Sequence, residues 1–203
     1  ENAHISIKCN VSTYGGAEYY VAGAIGTVTG DSTSGMVRNI NVTSFVTCKA
    51  KKCNAAFVVA KAVVPVSRCH VRDSEMEVVT LRTSSIGGIV GIGQSVLLSS
   101  QFRAQINVQG LGRLRGHISV GGILGSAASA GFLIDQSYSK ISLLNVSARG
   151  GADVGGCLGR GEYGDGMIRN TYAITQEVSG HIKGGRGNGG GFMGYVNGTN
   201  FTL

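Results

Sequence analysis

Tryptophan is absent from this chain of 203 residues, proline occurs once, and aromatic residues make up only 6% of it. So few aromatic rings leave little to stack on bases, which argues against single-stranded nucleic-acid binding, and no groove-reading motif stands in its place. No nucleic-acid partner is expected. Charged residues are also sparse, at 14%, and acids are the scarcer kind: 11 Asp and Glu against 18 Lys and Arg give a formal net charge of +7. That balance serves solubility or attraction to acidic surfaces such as glycans. Its small basic clusters are Lys49, Lys51 and Lys52, and Arg113 with Arg115. Long apolar runs are missing too. The longest, Ala55 to Val66, is interrupted by Lys61 and falls short of the roughly 20 residues a spanning helix needs, so no membrane span is expected. No secretory leader is legible, and a chain that opens on Glu1 rather than Met is consistent with its removal. A sustained 3.6-residue amphipathic pattern is likewise absent, which leaves little room for helix.

Glycine is what the chain has in excess: 34 of 203 residues, well above the usual roughly 7%. Without proline or a G-X-Y triplet this is not collagen. The glycines recur in one segment, Gly-Gly, two apolar residues, Gly: GGIVG at Gly87–Gly91, GGILG at Gly121–Gly125, GGCLG at Gly155–Gly159 and GGFMG at Gly190–Gly194. Weaker copies are AGAIG at Ala22–Gly26 and AAFVV at Ala55–Val59. The intervals between starts are 33, 32, 34, 34 and 35 residues. A period held for five steps marks a repeat architecture, in which no repeat buries its apolar face alone. Between the glycine segments, short runs rich in Val, Ile, Ser and Thr alternate with Gly/Ser/Asp turns, as in MIRNTYAITQEV. The prediction is an all-β fold, a β-solenoid (β-helix) of about six coils with a repeat of about 34 residues. It forms one domain over 1–203, with degenerate coils over 1–85 and regular ones over 86–203. The inner apolar residues of the glycine segments are expected to stack as a ladder of Ile25, Val58, Val90, Leu124, Leu158 and Met193.

Five N-glycosylation sequons are present, at Asn10, Asn41, Asn145, Asn197 and Asn200. The first three share a context, CNVS, INVT and LNVS, with the Asn between two apolar residues. Strand alternation then turns the flanks inward and the Asn outward, where a glycan can be attached. The reading is a secreted or cell-surface glycoprotein. Of five cysteines, Cys157 replaces an apolar residue matched by Ile89 and Ile123, and Cys9 takes the place that Leu144 holds in LNVS. Both read as small core residues. Cys48, Cys53 and Cys69 fall in the degenerate repeats, where a disulfide would help most. Cys48–Cys53 and Cys53–Cys69 are both open. A zinc site is disfavoured, since no CxxC occurs and His70 beside Cys69 has no matching partner.

The GG-x-x-G segments followed by an apolar-polar-Asn-x-Tyr strand, MIRNTY at Met167–Tyr172 and less fully LIDQSY at Leu133–Tyr138, resemble the GLUG-motif repeats of secreted and surface proteins of bacteria and protists. The resemblance covers about residues 86–203 well and 21–85 poorly. It implies a surface or adhesive role and no chemistry of its own.

Motifs for chemistry are wanting. HExxH, GxSxG and GxxxxGK[ST] do not occur. Two GxGxxG strings, Gly159–Gly164 and Gly185–Gly190, open no helix and belong to the repeat. Asp73, Glu75 and Glu77 alternate on one strand face. Counted from the repeat starts, their counterparts are Gln105, Asn107 and Gln109 in the next coil and Ile40, Val42 and Ser44 in the preceding one, so no acid cluster is built. Glu162 and Asp165 lie in one turn and are a weak cation-binding pair at most. His4, His70, His117 and His181 fall at unrelated places. No catalytic site, cofactor or metal is expected.

The last repeat supplies 14 residues from Gly190, and 21 precede Ala22, which together make one repeat of 35. Head-to-tail copies would complete a coil at the junction, through Ile5, Ile7 and Val11 at one end and Phe192, Met193, Val196 and Phe201 at the other. The expectation is therefore a structural subunit that stacks into a filament or surface fibre. The rival is a segment of a surface adhesin that binds glycans or a host receptor.

Overall fold

A computed structural model describes residues 3–29, 35–93, 97–98, 101–112, 116–128, 131–162, 166–183, 185–197 and 201–202. Every strand pairing is parallel, and the described residues contain no helix. The chain winds as a β-solenoid, and each layer contributes up to four strand segments, one to each of four faces. The long face is built from the first parts of Ala3–Ala22 and Ile40–Ala56, then His70–Thr80, Gln101–Gly110 and Tyr138–Ala148, closing with Tyr172–Thr175 and Val178–Ile182. The second face takes the ends of the first two strands, then Ser84–Gly87, His117–Gly121, Gly151–Gly155 and Gly187–Gly190. The third face, Ile25–Val28 to Met193–Asn197, and the fourth, Val37–Arg38 to Phe201–Thr202, are each 6-stranded sheets. Six layers, hence five turns between first and last, fit the expected repeat.

Strand alternation fixes what points inward. In Ile40–Ala56 the residues Ile40, Val42, Ser44, Val46, Cys48 and Ala50 are buried, while Thr43 and Phe45 between them are exposed. Stacked layers turn each inward position into a column. One column runs Cys9, Val46, Met76, Ile106 and Leu144, which places Cys9 where its likeness to Leu144 predicts. A neighbouring outward column holds Asn10, Thr47, Glu77, Asn107 and Asn145.

Two corners have constant length. At the first, GG-x-x-G joins the second face to the third, and the chain folds back so tightly that side chains have no room. A Cβ on Gly121 would meet the Leu124 carbonyl oxygen at 1.9 Å, and one on Gly155 the Leu158 oxygen at 2.1 Å. In these coils one carbonyl accepts two N–H groups from the coil before it: Cys157 from Ile123 and Leu124, and Phe192 from Cys157 and Leu158. The second constant corner joins the fourth face to the long face through a residue with positive φ: Asn39 (57°), Arg68 (51°), Gln136 (47°) and Asn170 (49°). Asparagine takes this left-handed conformation more readily than most residues. Asp135 braces the corner, accepting from Arg169 Nε at 2.9 Å and Asn170 Nδ2 at 3.1 Å. The other two corners vary in length. The third face is joined to the fourth by the stretch from Val28 to Val37 in one coil but from Ala62 to Val66 in the next.

Register corrects two expectations. The apolar ladder runs through Val59, not Val58: Ile25, Val59, Val90, Leu124, Leu158, Met193. Residues Ala55 to Ala60 are all 0% exposed, so hydropathy carries no phase there, and the hydrogen bond from Val59 N to Ile89 O sets it. Likewise Glu75 and Glu77 stand beside Phe45 and Thr47 on one side and Gln105 and Asn107 on the other. Ile40, Val42 and Ser44 are not their outward counterparts but core residues. The displacement comes from the short step between these coils and from a bulge in His70–Thr80, where Asp73 adopts a φ of 46°.

Cys48 and Cys53 are joined by a disulfide within the single strand Ile40–Ala56, across the bend from long face to second face. Both are 0% exposed. Cys69, the other candidate, is a buried free thiol, raised to about 11 by burial although a backbone hydrogen bond from Ile40 opposes the shift. Burial also raises the Cys157 thiol, so neither is a ready nucleophile. The bridge closes a short loop, and replacing both cysteines by alanine should cost about 2 kcal/mol. Denaturant unfolding of Cys48→Ala/Cys53→Ala against the oxidised parent measures it.

Candidate functional site: open ends and polar clusters

The first and last described layers differ from the middle of the stack in the greater exposure of their apolar columns. Among the described residues, strand Ala3–Ala22 pairs on one side, with Ile40–Ala56. Ile5, Ile7 and Val11 continue the columns of Val42, Ser44 and Cys48, yet Ile7 is 45% exposed and Ile5 and Val11 only half-buried. At the opposite end Phe192, Met193 and Val196 are half-buried, whereas Cys157 and Leu158 one layer inside are fully buried. Phe201 lies in the last strand of the fourth face, paired with Gly166. The glycines report the same asymmetry. A Cβ on Gly122 would meet the Gly156 carbonyl oxygen at 2.0 Å and one on Gly156 the Gly191 oxygen at 2.2 Å, but one on Gly191 meets nothing within 4 Å.

Among the sequons, Asn10, Asn145 and Asn197 are exposed and Asn41 is half-buried; Asn200 lies outside the described residues. Asn10 and Asn145 share one outward column, while Asn41 stands between His4 and His70 in another.

Sequence reasoning missed a polar cluster between the second and third faces. Asn54, Ser85, Ser119 and Asp153 form a column on the side of the second face opposite Ala152 and Val154, yet all are buried. The third face folds back over them through GG-x-x-G, near enough that a Cβ on Gly159 would lie 2.6 Å from Val120 N. Asp153 is 0% exposed. It accepts from His117 Nε2 at 2.7 Å, from Asn188 Nδ2 at 2.7 Å and from Arg160 Nη1, while Arg160 also pairs with Glu162 and lies over the Tyr195 ring at 4.6 Å. Burial pushes the Asp153 carboxyl up, but the hydrogen bonds from His117, Asn188 and Arg160 outweigh it and hold the group below the usual carboxylate range. The same balance lowers Asp135, beside Asn170 and Arg169. The available signal was separation by about one coil: His117 and Asp153 are 36 residues apart, Asp135 and Arg169 34.

His117, Asn188 and Arg160 all engage the buried Asp153, so the cluster clamps three neighbouring coils together. Glu162 is the clamp's outer acid; its suggested partner Asp165 lies outside the described residues, as do Arg113 and Arg115. Among the described residues no group of three or more His, Cys, Asp or Glu could hold a metal ion, and no helix is long and apolar enough to cross a membrane.

What the fold defines is a parallel β-solenoid repeat protein. No family model, curated protein or solved structure matches the chain.

Proposed function

We propose that this chain is an extracellular structural glycoprotein of the GLUG-motif kind, whose solenoids stack head to tail by strand addition into a filament or surface fibre. The observation that carries the reading is the exposure of the first and last described layers, where strand edges and apolar columns are uncovered among the described residues, and such edges are templates for another strand. In a stack a second copy would set its Ala3–Ala22 strand on the last described layer, with Ile5, Ile7 and Val11 extending the inward columns. Asn10, Asn145 and Asn197 are exposed, Asn10 and Asn197 on the layers that would meet at that junction.

Gly191 makes the test selective. In the free chain a side chain there meets nothing, whereas in a stack it faces the next copy's Gly23 layer, as Gly156 faces Gly191. Electron microscopy of the native protein should show filaments with an axial step near ~29 Å, six layers at ~4.8 Å each. Gly191→Val should melt like the parent and remain monomeric. Monodisperse parent protein at high concentration would sink the reading, as would filaments that Gly191→Val leaves intact. The second reading, a surface adhesin, draws support from the outer side of the long face.

A further inference from the structure

Three depressions on the outer side of the long face join into one trough. The largest, about 600 Å3, is lined by His4, Asn41, His70 and Arg72 among others. It shares Ser6 and Thr43 with a second of about 380 Å3, which shares Phe45 and Asp73 with a third of about 370 Å3 that reaches Glu75, Gln105 and Ser142. From Ala3–Ala22 to Tyr138–Ala148 the trough crosses five strands, ~19 Å of stacked backbone at ~4.8 Å a step. The bulges at Asp73 and at Ser142 open it, since each extra residue breaks the flat alternation of the sheet.

Its chemistry is graded along its length. The wide end is lined by the Arg72 guanidinium, the imidazoles of His4 and His70 and the hydroxyl-bearing Ser6 and Thr43, with no acid among its lining residues. Arg72 and His4 are exposed and, among the described residues, engage in no ion pair, and the half-buried His70 lines the trough beside them. In the middle Phe45 stands 50% exposed, a flat apolar surface in an otherwise polar setting. At the narrow end Asp73, Glu75 and Gln105 offer acceptors.

We propose that this trough binds an oligosaccharide containing uronic acid. The carboxylate pairs with Arg72, whose planar guanidinium matches it bidentately, and sugar hydroxyls reach Ser6 and Thr43. The apolar face of a pyranose ring packs on Phe45, and hydroxyls of the following units donate to Asp73 and Glu75. A neutral glycan leaves the cationic end unpaired. A nucleic acid would bring a phosphate to every unit, against the two carboxylates at the narrow end. The trough opens on the flank, and its wide end is lined in part from strand Ala3–Ala22, so binding is read on the unassembled chain.

The test is calorimetric titration of the full chain, made in a host that does not glycosylate so that Asn41 in the trough is bare, with a xylotetraose that carries a single glucuronate, at low ionic strength. The parent should bind, and the neutral xylotetraose should not. Arg72→Gln should weaken binding by at least about tenfold, the scale of a bidentate charged pair, and Phe45→Ser by several-fold. Both side chains point to solvent, and circular dichroism confirms that the variants fold. Lys140→Gln, on the same face but outside the trough, should bind as the parent does. Absence of binding by the parent, equal weakening in Lys140→Gln, or equal binding of a sulfated oligosaccharide that contains no uronic acid, such as a carrageenan hexasaccharide, overturns the proposal.

Discussion

Gly121→Val should unfold the middle of the solenoid, with a loss of more than about 4 kcal/mol, the range reserved for gross steric conflict or a lost core. The Cβ alone would lie 1.9 Å from the Leu124 carbonyl oxygen and 2.7 Å from Gly159 N, both backbone atoms held by neighbouring coils. Relief would require opening the turn, which in turn displaces Leu124 and the doubly accepting carbonyl of Cys157. Ala56 in the second coil shows that a Cβ can be housed at this place when the turn is built otherwise. There the coil steps directly from Ala56 to Gly87 across 31 residues, and Ile89 O accepts from Val59 alone. One substitution in the third coil or later does not rebuild its neighbours in that way. Gly180→Ala is the control. Its Cβ meets nothing within 4 Å, so the change should stay within about 0.5 kcal/mol. Chemical denaturation of the two variants compares them directly, and a Gly121→Val protein as stable as the parent would refute the steric account.

Asp153→Asn should cost about 3 kcal/mol at neutral pH, because removing one partner of a buried charged cluster leaves the others unpaired. An amide cannot accept as a carboxylate does from His117, Arg160 and Asn188 together. The pH dependence follows from the depressed carboxyl. A carboxylate whose folded pKa lies below its unfolded value of 3.8 adds stability above that pH, and the contribution fades as pH falls through the folded value. The gap in melting temperature between parent and Asp153→Asn should therefore be wide at pH 7 and close on acidification below about 4. A gap that persists unchanged at pH 2 would place the effect in packing rather than charge.

The glycine period and the inward-outward parity of the sequon strands were legible because both depend on local spacing. Glycine at Gly121 and Gly155 answers a clash with the same turn's own backbone, so each coil carries the signal independently. Phase through Ala55–Ala60 was not legible. Where Ala55, Ala56, Phe57, Val58, Val59 and Ala60 are all buried, only inter-coil hydrogen bonds choose between registers one residue apart. The Asp153 clamp escaped for a related cause. Its members sit on three different coils, and His117 looks solitary until the coil length is used to bring Asp153 beside it. The disulfide was half legible: spacing admitted two pairings, and the bend in one continuous strand selects Cys48 with Cys53.

Constant length at two corners and variable length at the other two has a bearing on how such a chain can change over generations. Insertions at GG-x-x-G or at the left-handed corner shift every residue above them against every residue below. Insertions between the third and fourth faces, or between the long and second faces, lengthen one excursion and leave the remaining layers in step. The rod therefore carries two edges along which new peptide segments can be acquired, lost or grafted one layer at a time, while its bore keeps its dimensions.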